Sequence, residues 1–252
     1  MSNNLSSLRK RKKIIANTLK ITQAMKLVSF SKFQTYSSKQ KRFTQYYDTI
    51  WRIPRTIDEQ VNKKIIVFLV GADLGLASAY MQALYKTVHP YPDWEFMVLG
   101  QALFDRMKHD HFKIVNDVMK SENTSFDFFL DWSKRIAEDY SIRLLRPFYK
   151  HGSSIRFEWV SLDEVLFIPY NLVTGEDVAD LKSVYRIKWI AANLYQSYLA
   201  CKMVEHTVRR TAMEQASENA EELLQHIDRQ YNRLRQEKIT QEINELIASM
   251  EG

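Results

Sequence analysis

A glycine-containing stretch, GADLGLAS at 71–78, is the first place in the chain where residue types could do chemistry. Glycine-rich turns between a strand and a helix can hold a phosphate group through their backbone N–H groups. The stretch lacks both the G-x-x-x-x-G-K-[ST] and the G-x-G-x-x-G pattern, and no lysine directly follows it. We therefore predict a tight strand-to-helix turn here, without a phosphate site.

Two other stretches carry metal-ligand or nucleophile types. His109 and His111 flank Asp110, but no third His or Cys is near in sequence, so we expect an exposed loop. Cys201 and His206 are five residues apart, which is not the spacing of helical neighbours, so we expect a buried thiol. The sequence predicts no catalytic residue, no cofactor and no metal. A single cysteine excludes an internal disulfide and is typical of a cytoplasmic protein.

Charge is distributed unevenly along the chain. Residues 1–47 contain eleven Lys or Arg and no acid, whereas 205–252 contain ten acids and six bases, within a net charge of +6. Opposite signs predict that the two ends pair. Five consecutive bases, Arg9 to Lys13, also raise nucleic-acid binding as an alternative. No run of eighteen apolar residues is present, so we expect no membrane span.

Helix breakers define the organisation. Every proline and every glycine except Gly252 lies between residues 54 and 175. In a helix interior, glycine costs ~1 kcal/mol and proline ~3 kcal/mol, so the uninterrupted flanks predict long helices. The predicted domains are an N-terminal helix over 1–53, an α/β domain over 54–174 and a C-terminal helix over 175–252, with a capping box at Thr174 and Asp177.

Apolar residues recur at helical spacing in both flanks. Ile14, Ile21 and Val28 are seven apart, with Met25 between them. The second flank carries the longer stripe Met213, Ala216, Ala220, Leu223, Ile227, Tyr231, Leu234, Ile239, Ile243, Leu246 and Met250. Neither helix is stable alone at this length, so we predict an antiparallel coiled coil in which the longer C-terminal helix overhangs.

The segment between the flanks alternates strand and helix patterns. Predicted strands are 63–70, 94–100 and 111–117 with two more within 154–170, and predicted helices lie within 72–88, 101–109 and 126–140. This order is typical of a small, mostly parallel α/β domain. The predicted fold class is α/β, with this domain inserted between the two helices of the coiled coil.

Two stretches resemble the γ subunit of F-type ATP synthase, the central-stalk rotor. LRKRKKIIANTLKITQAMKLVSFSK at 8–32 is similar to the opening of that family, and RRTAMEQASENAEELLQHIDRQYNRLRQEKITQEINELIASMEG at 209–252 to its close. The matching residues are Lys20, Ile21, Thr22, Ala24, Met25, Val28, Ala212, Met213, Ala216, Asn219, Ala220, Tyr231, Asn232, Arg235, Gln236, Ile239, Thr240 and Glu242.

The resemblance implies a non-catalytic shaft whose C-terminal helix enters a ring of α and β catalytic subunits. It implies contacts of Arg235 and Gln236 with β-subunit loops, of Thr240 with the catalytic ring, of Met25, Lys26 and Val28 with the lower rim of the ring, and of Arg9, Lys10, Arg11 and Lys13 with its inner sleeve. Met25 is alternatively a core residue of the coiled coil. An ε-like subunit is a further implied partner, nucleic acid is not, and the membrane is reached only through the complex.

The resemblance is weak between the two ends. The family's S-D-R-G-L-C-G loop is replaced here by residues 72–78, without its arginine, cysteine and second glycine, so the resemblance gives no contact for this loop. A divergent F-type-like ATPase is the resulting hypothesis. The alternative function is a structural coiled-coil adaptor with an α/β head, which would purify without nucleotide-binding α and β chains.

Overall fold

A computed structural model describes residues 2–53, 55–57, 63–149, 154–166 and 176–250. In chain order these residues form α1 (Ser2–Trp51), β1 (Arg55–Ile57), β2 (Lys64–Val70), α2 (Ser78–Val88), β3 (Glu95–Leu99), α3 (Gln101–His109), β4 (Lys113–Ile114), α4 (Phe126–Ile136), β5 (Tyr140–Phe148), β6 (Arg156–Ser161), β7 (Glu164–Leu166) and α5 (Glu176–Met250). Thr174 of the predicted capping box lies outside the described residues, so that prediction is not tested. No helix in the described ranges is long and apolar enough to cross a bilayer.

The chain divides into two compact units. The first combines residues 1–30 with 209–252, and the second is 31–208. Both divisions fall inside α1 and α5, so each long helix belongs partly to both units. The boundaries at 53 and 174 remain a prediction.

A five-stranded sheet forms the centre of the second unit, in the order β4-β3-β2-β5-β6. β4, β3, β2 and β5 run parallel, and β6 pairs antiparallel with β5. The last five residues of β2 and the last four of β3 are buried, as expected for central strands covered on both faces. A separate antiparallel pair joins β1 to β7. The predicted mostly parallel α/β architecture is confirmed.

Three strands differ from the sequence prediction, and the first is β1 (Arg55–Ile57), which no predicted strand covered. The helix predicted over 126–140 ends at Ile136, and β5, which the sequence pattern did not reveal, follows as a central strand. Arginines and a proline interrupt the apolar pattern of β5, and pairing with β2 sets its conformation instead. The strand predicted over 111–117 is short because the Asn116 side chain bonds to Val98 N (2.8 Å) and Val98 O (2.9 Å) in place of backbone pairing.

Two glycines allow a close approach beside this sheet. Gly71 follows β2, and its N–H donates to Leu99 O at 2.7 Å. Gly100 follows β3 with φ +105°, and a Cβ there would lie 2.4 Å from Gly71 O. Both the positive φ and the contact require glycine. Residues 71–77 of the GADLGLAS stretch form a seven-residue loop between β2 and α2, so the strand-to-helix connection was predicted correctly but it is not a tight turn.

The first unit is an antiparallel helix pair. As residue numbers rise along α1, those of the facing α5 residues fall in step. The facing pairs are Arg9 with Tyr231, Lys12 with Asp228, Thr22 with Ser217 and Lys26 with Glu214. Two of these contacts are ion pairs, at 2.5 and 2.6 Å. The predicted pairing of a basic N-terminal helix with an acidic C-terminal helix is confirmed.

The prediction that Ile14, Ile21 and Val28 of α1 face α5 was wrong. Ile14, Ile21 and Val28 are 65%, 59% and 59% exposed. The residues that face α5 lie one position further along the chain, and they are Leu8, Ile15, Thr22 and Ser29. The Thr22 and Ser217 hydroxyl oxygens lie 2.8 Å apart at the buried contact. Leu8 and Ile15 are apolar facing residues near the start of α1, whereas the small polar side chains of Thr22 and Ser29 allow the helices to pack closely further along.

The stripe on α5 is confirmed in part, as far as Leu234. Met213, Ala220 and Ile227 are buried against α1, and Tyr231 and Leu234 are half-buried. Leu223, also predicted to be inside, is 45% exposed. Beyond Leu234 the apolar residues of the stripe are exposed.

Candidate functional site

The end of α5 extends past the start of α1. In the observed register, residue 238 of α5 lies at the level of residue 2 of α1, so 239–250 continue for roughly 18 Å without a facing turn of α1. Every residue from 239 to 250 is exposed. Large apolar side chains occur throughout this stretch, and they are Ile239, Ile243, Leu246, Ile247 and Met250. Exposed apolar residues at this density are typical of a surface covered by a partner.

The predicted contact residues Arg235, Gln236 and Thr240 lie at the base of this extension. All three side chains are exposed on consecutive turns of α5. The Thr240 hydroxyl donates to Gln236 O at 3.0 Å, within the helix. Arg235 lies one turn beyond Tyr231, which the N-terminal basic cluster contacts.

That basic cluster is divided in its roles. Arg9 donates to the Tyr231 hydroxyl from Nε (3.0 Å) and Nη2 (2.6 Å), so it holds α1 to α5. Lys10, Arg11 and Lys13 are exposed and extend outward from the pair. The structure therefore places the basic cluster of residues 9–13 and the group Arg235, Gln236 and Thr240 at the same end of the first unit.

The third predicted contact group lies elsewhere on the pair. Met25 is half-buried, Lys26 pairs with Glu214 at 2.6 Å, and Val28 is exposed. Twelve residues separate Met25 from Lys13, which corresponds to about 18 Å along α1. With Ile14, Val28 belongs to an exposed apolar face of α1 that lacks a covering helix among the described residues.

A buried charged cluster in the second unit was not foreseen from the sequence. Lys202 Nζ lies 2.7 Å from Glu205, 2.9 Å from Glu122 and 3.0 Å from Ser121 Oγ. His206 Nε2 lies 3.2 Å from the Glu122 oxygen that Lys202 contacts. Lys202 and Glu205 are 0% and 1% exposed. A lysine within the apolar helix segment WIAANLYQSYLACKMV was the available signal.

The charges of this cluster stabilise one another. Burial alone would raise the pKa of Glu122, but the hydrogen bond from His206 and the Lys202 ammonium hold it far below its ordinary value. Burial alone would lower the pKa of Lys202, but Glu205 and Glu122 raise it. Both ion-pair partners are therefore charged at neutral pH.

The same cluster contains three side chains with metal-ligand spacing. The ligand atoms of Glu122, Glu205 and His206 lie within 4.8 Å of one another. The Lys202 ammonium already contacts both carboxylates, so it supplies the cation that the two acids need. A divalent ion would have to displace a buried, protonated lysine. These residues do not fit a metal site.

The other candidate chemical groups are structural. Cys201 is buried, and burial raises the pKa of its thiol to about 12, so it is protonated and unreactive at neutral pH. His109 is exposed and lies 2.9 Å from Asp110, and the Tyr85 hydroxyl donates to the same carboxylate. The predictions of a buried thiol and an exposed His loop are both confirmed.

Similarity to known proteins extends over nearly the whole chain. A family model described as ATP synthase matches residues 4–252. The ATP synthase gamma chain of Ruminiclostridium cellulolyticum is 27% identical over 289 residues, covering 98% of each chain. That of Mycoplasma pneumoniae is 24% identical, covering 98% of this chain and 99% of the relative.

Solved structures share the fold. A chain in the mitochondrial ATP synthase of Euglena gracilis, solved as OSCP, F1 and c-ring, matches with a TM-score of 0.70 at 17% identity, covering 99% of this chain and 94% of that one. A chain of the rotor from the same organism matches with a TM-score of 0.65 at 14% identity, covering 95% of this chain and all of that one. The chain belongs to the ATP synthase gamma-chain family, whose members form the central-stalk rotor.

Proposed function

We propose that this chain is the non-catalytic rotor of a rotary F-type or F-type-like ATPase, and that it couples ATP hydrolysis or synthesis in a ring of α and β subunits to rotation. The observation that carries the proposal is the exposed end of α5, residues 239–250, beyond the paired part of the helices. Family membership supports the same role. The chain itself supplies stiffness and contact surfaces, and the catalytic subunits supply the chemistry.

The helix pair suits torque transmission. Two helices joined by ion pairs and a buried seam resist twisting more than one helix does, because each cross-contact must break for the helices to slide. At the end of α5 the large apolar side chains Ile239, Ile243, Leu246 and Met250 recur at helical spacing, so they lie on one face, and polar side chains cover the other faces. As the shaft turns, this apolar face would meet each catalytic subunit in turn.

Three groups are proposed to contact the ring. Arg235, Gln236 and Thr240 would meet β-subunit loops, and the exposed bases Lys10, Arg11 and Lys13 would meet the inner sleeve near them. Val28, with Met25 and Lys26, would meet the lower rim. Arg9 differs from the other proposed contacts because its guanidinium is already engaged by Tyr231, so we assign it to the helix pair first.

The test is to delete residues 239–252 and purify the complex. We expect loss of most co-purifying α and β chains, or a torque reduced several-fold, while the tryptophan fluorescence of residues 31–208 is unchanged. A control in which Gln241 and Asn244 become alanine keeps the helix and its apolar side chains, and it should behave like the wild type. Unchanged assembly and torque after the deletion would contradict the rotor function.

The adaptor alternative predicts purification without nucleotide-binding partners. If the chain binds nucleic acid, its affinity should fall steeply as the salt concentration rises. Neutralising residues 9–13 should then abolish the binding. We also propose that an ε-like subunit binds the α/β unit, and that the chain reaches a membrane only through such partners. Both proposals follow from the family resemblance.

A further inference from the structure

Side chains from distant parts of the chain hold every backbone N–H group of one four-residue loop in the α/β unit. Ser121–Thr124 lies between β4 and α4, and its four consecutive backbone N–H groups all donate to side chains from distant parts of the chain. The first two donate to the Asp73 carboxylate (2.7 and 3.0 Å), the third to the Tyr36 hydroxyl (3.3 Å) and the fourth to the Tyr198 hydroxyl (3.1 Å). Asn123 is held at φ +60°, which few side chains adopt.

The side chain of Glu122 then joins this loop to both long helices. One carboxylate oxygen accepts from Lys32 Nζ and the Tyr36 hydroxyl of α1, each at 3.1 Å. The other lies 2.9 Å from Lys202 Nζ and 3.2 Å from His206 Nε2 of α5. A carboxylate only accepts, so the His206 ring proton lies on Nε2. One side chain thus connects three segments that are far apart in sequence.

Such contacts differ mechanically from apolar packing. A buried ion pair adds little net stability compared with apolar residues of the same size, but its hydrogen bonds fix direction and distance. The hydrophobic effect is non-directional, so apolar contacts specify the rotation of a helix about its axis less sharply than hydrogen bonds do. Turning either helix about its axis relative to the loop would instead break bonds to Lys32 or Lys202 and leave Glu122 without compensation.

We propose that the loop Ser121–Thr124, through Glu122, is the torsional joint that makes the α/β unit turn together with the two long helices, a role that rests on the proposed rotor function. Glu122 is a positioning residue, since it touches no substrate. Its partners Lys202 and Lys32 hold it from α5 and α1, and the Asp73 carboxylate accepts hydrogen bonds from the loop backbone.

The experiment compares Glu122→Gln with the matched control Glu138→Gln, which removes the same charge from an exposed residue just after α4. Each variant is assembled with its own catalytic-ring subunits, and a probe is attached to a cysteine introduced at the exposed Ala79 of α2. The angular fluctuation of the probe in the ATP-arrested complex reports the torsional compliance between ring and α/β unit. Hydrogen exchange of amides 121–124 is measured on the same complexes.

We expect Glu122→Gln to speed exchange of these amides at least tenfold and to raise the compliance at least twofold, with the rate of ATP hydrolysis unchanged. Glu138→Gln should change none of these. Lys32→Met, which removes one of the two α1 contacts of Glu122 and leaves that of Tyr36, should give a smaller rise in compliance and provides a second variant if Glu122→Gln does not fold.

If the hydrogen exchange of amides 121–124 is unchanged in Glu122→Gln and in Lys32→Met, Glu122 does not hold the loop. Faster exchange with unchanged compliance would mean that the loop does not carry torque, and either result overturns the joint. A rise in melting temperature of the wild-type complex with added Zn²⁺ would overturn it in favour of a metal site. Failure of the wild-type complex to rotate at all would instead refute the proposed function, so the two failures are distinguishable.

Discussion

Replacing Lys202 with methionine is expected to destabilise residues 31–208 by about 3–5 kcal/mol, the cost of removing one partner of a buried ion pair. Methionine keeps most of the side-chain volume, so the change isolates the charge. The Glu205 carboxylate, 1% exposed, would lose the ammonium 2.7 Å away. Glu122 would lose less, because Lys32 and His206 still bond to it.

The double variant Lys202→Met with Glu205→Leu distinguishes this cause from lost packing. Replacing both charges by apolar groups of similar volume is often neutral, so we expect it to recover at least ~2 kcal/mol relative to Lys202→Met. Lys134→Met is the control, because Lys134 forms an exposed pair with Asp131 and its loss should cost only ~0–1 kcal/mol.

Urea unfolding followed by tryptophan fluorescence measures these differences, since all five tryptophans lie in residues 31–208. The folded state raises the pKa of Lys202, so its contribution is present at neutral pH and is lost only as the pH rises through that raised pKa, above the ordinary value of ~10.4. The wild type should therefore keep its advantage over Lys202→Met at pH 9. A loss below 1 kcal/mol, or a double variant no more stable than the single one, would refute the reasoning.

Two further predictions test the backbone turn and the helix register. Gly100→Ala should destabilise the sheet by more than ~1 kcal/mol in the same urea assay, because Gly100 has φ +105° and a Cβ there would lie 2.4 Å from a backbone oxygen. Gly75→Ala is the control, because a Cβ at Gly75 would have open space around it. Equal losses of stability in the two variants would contradict the backbone geometry at Gly100. Cysteines introduced at Thr22 and Ser217, whose hydroxyl oxygens are 2.8 Å apart, should form a disulfide on mild oxidation. Cysteines at Ile21 and Ser217 should not. Gel mobility under non-reducing conditions measures this, and a disulfide only in the second pair would contradict the observed register.

The local sequence determined the elements whose signals are local. Residues without glycine or proline at both ends predict the long helices α1 and α5, and the buried runs of β2 and β3 predict central strands. Opposite charges at the two ends predict their pairing, and two motifs near the termini indicate the family. Each of these signals needs only neighbouring residues, or the overall charge of a segment, to be recognised.

Tertiary structure decided which face of α1 is inside, where the fourth parallel strand lies, and what holds loop 121–124. Ile14 and Ile21 look like core residues, but the seam contains Thr22 because its hydroxyl meets Ser217 nearly two hundred positions away. The strand β5 depends on its pairing with β2. Glu122 is one of many acids in the sequence, and only folding places it between Lys32 and Lys202. Such contacts depend on the complementarity of two distant surfaces, which periodicity along a single segment does not encode.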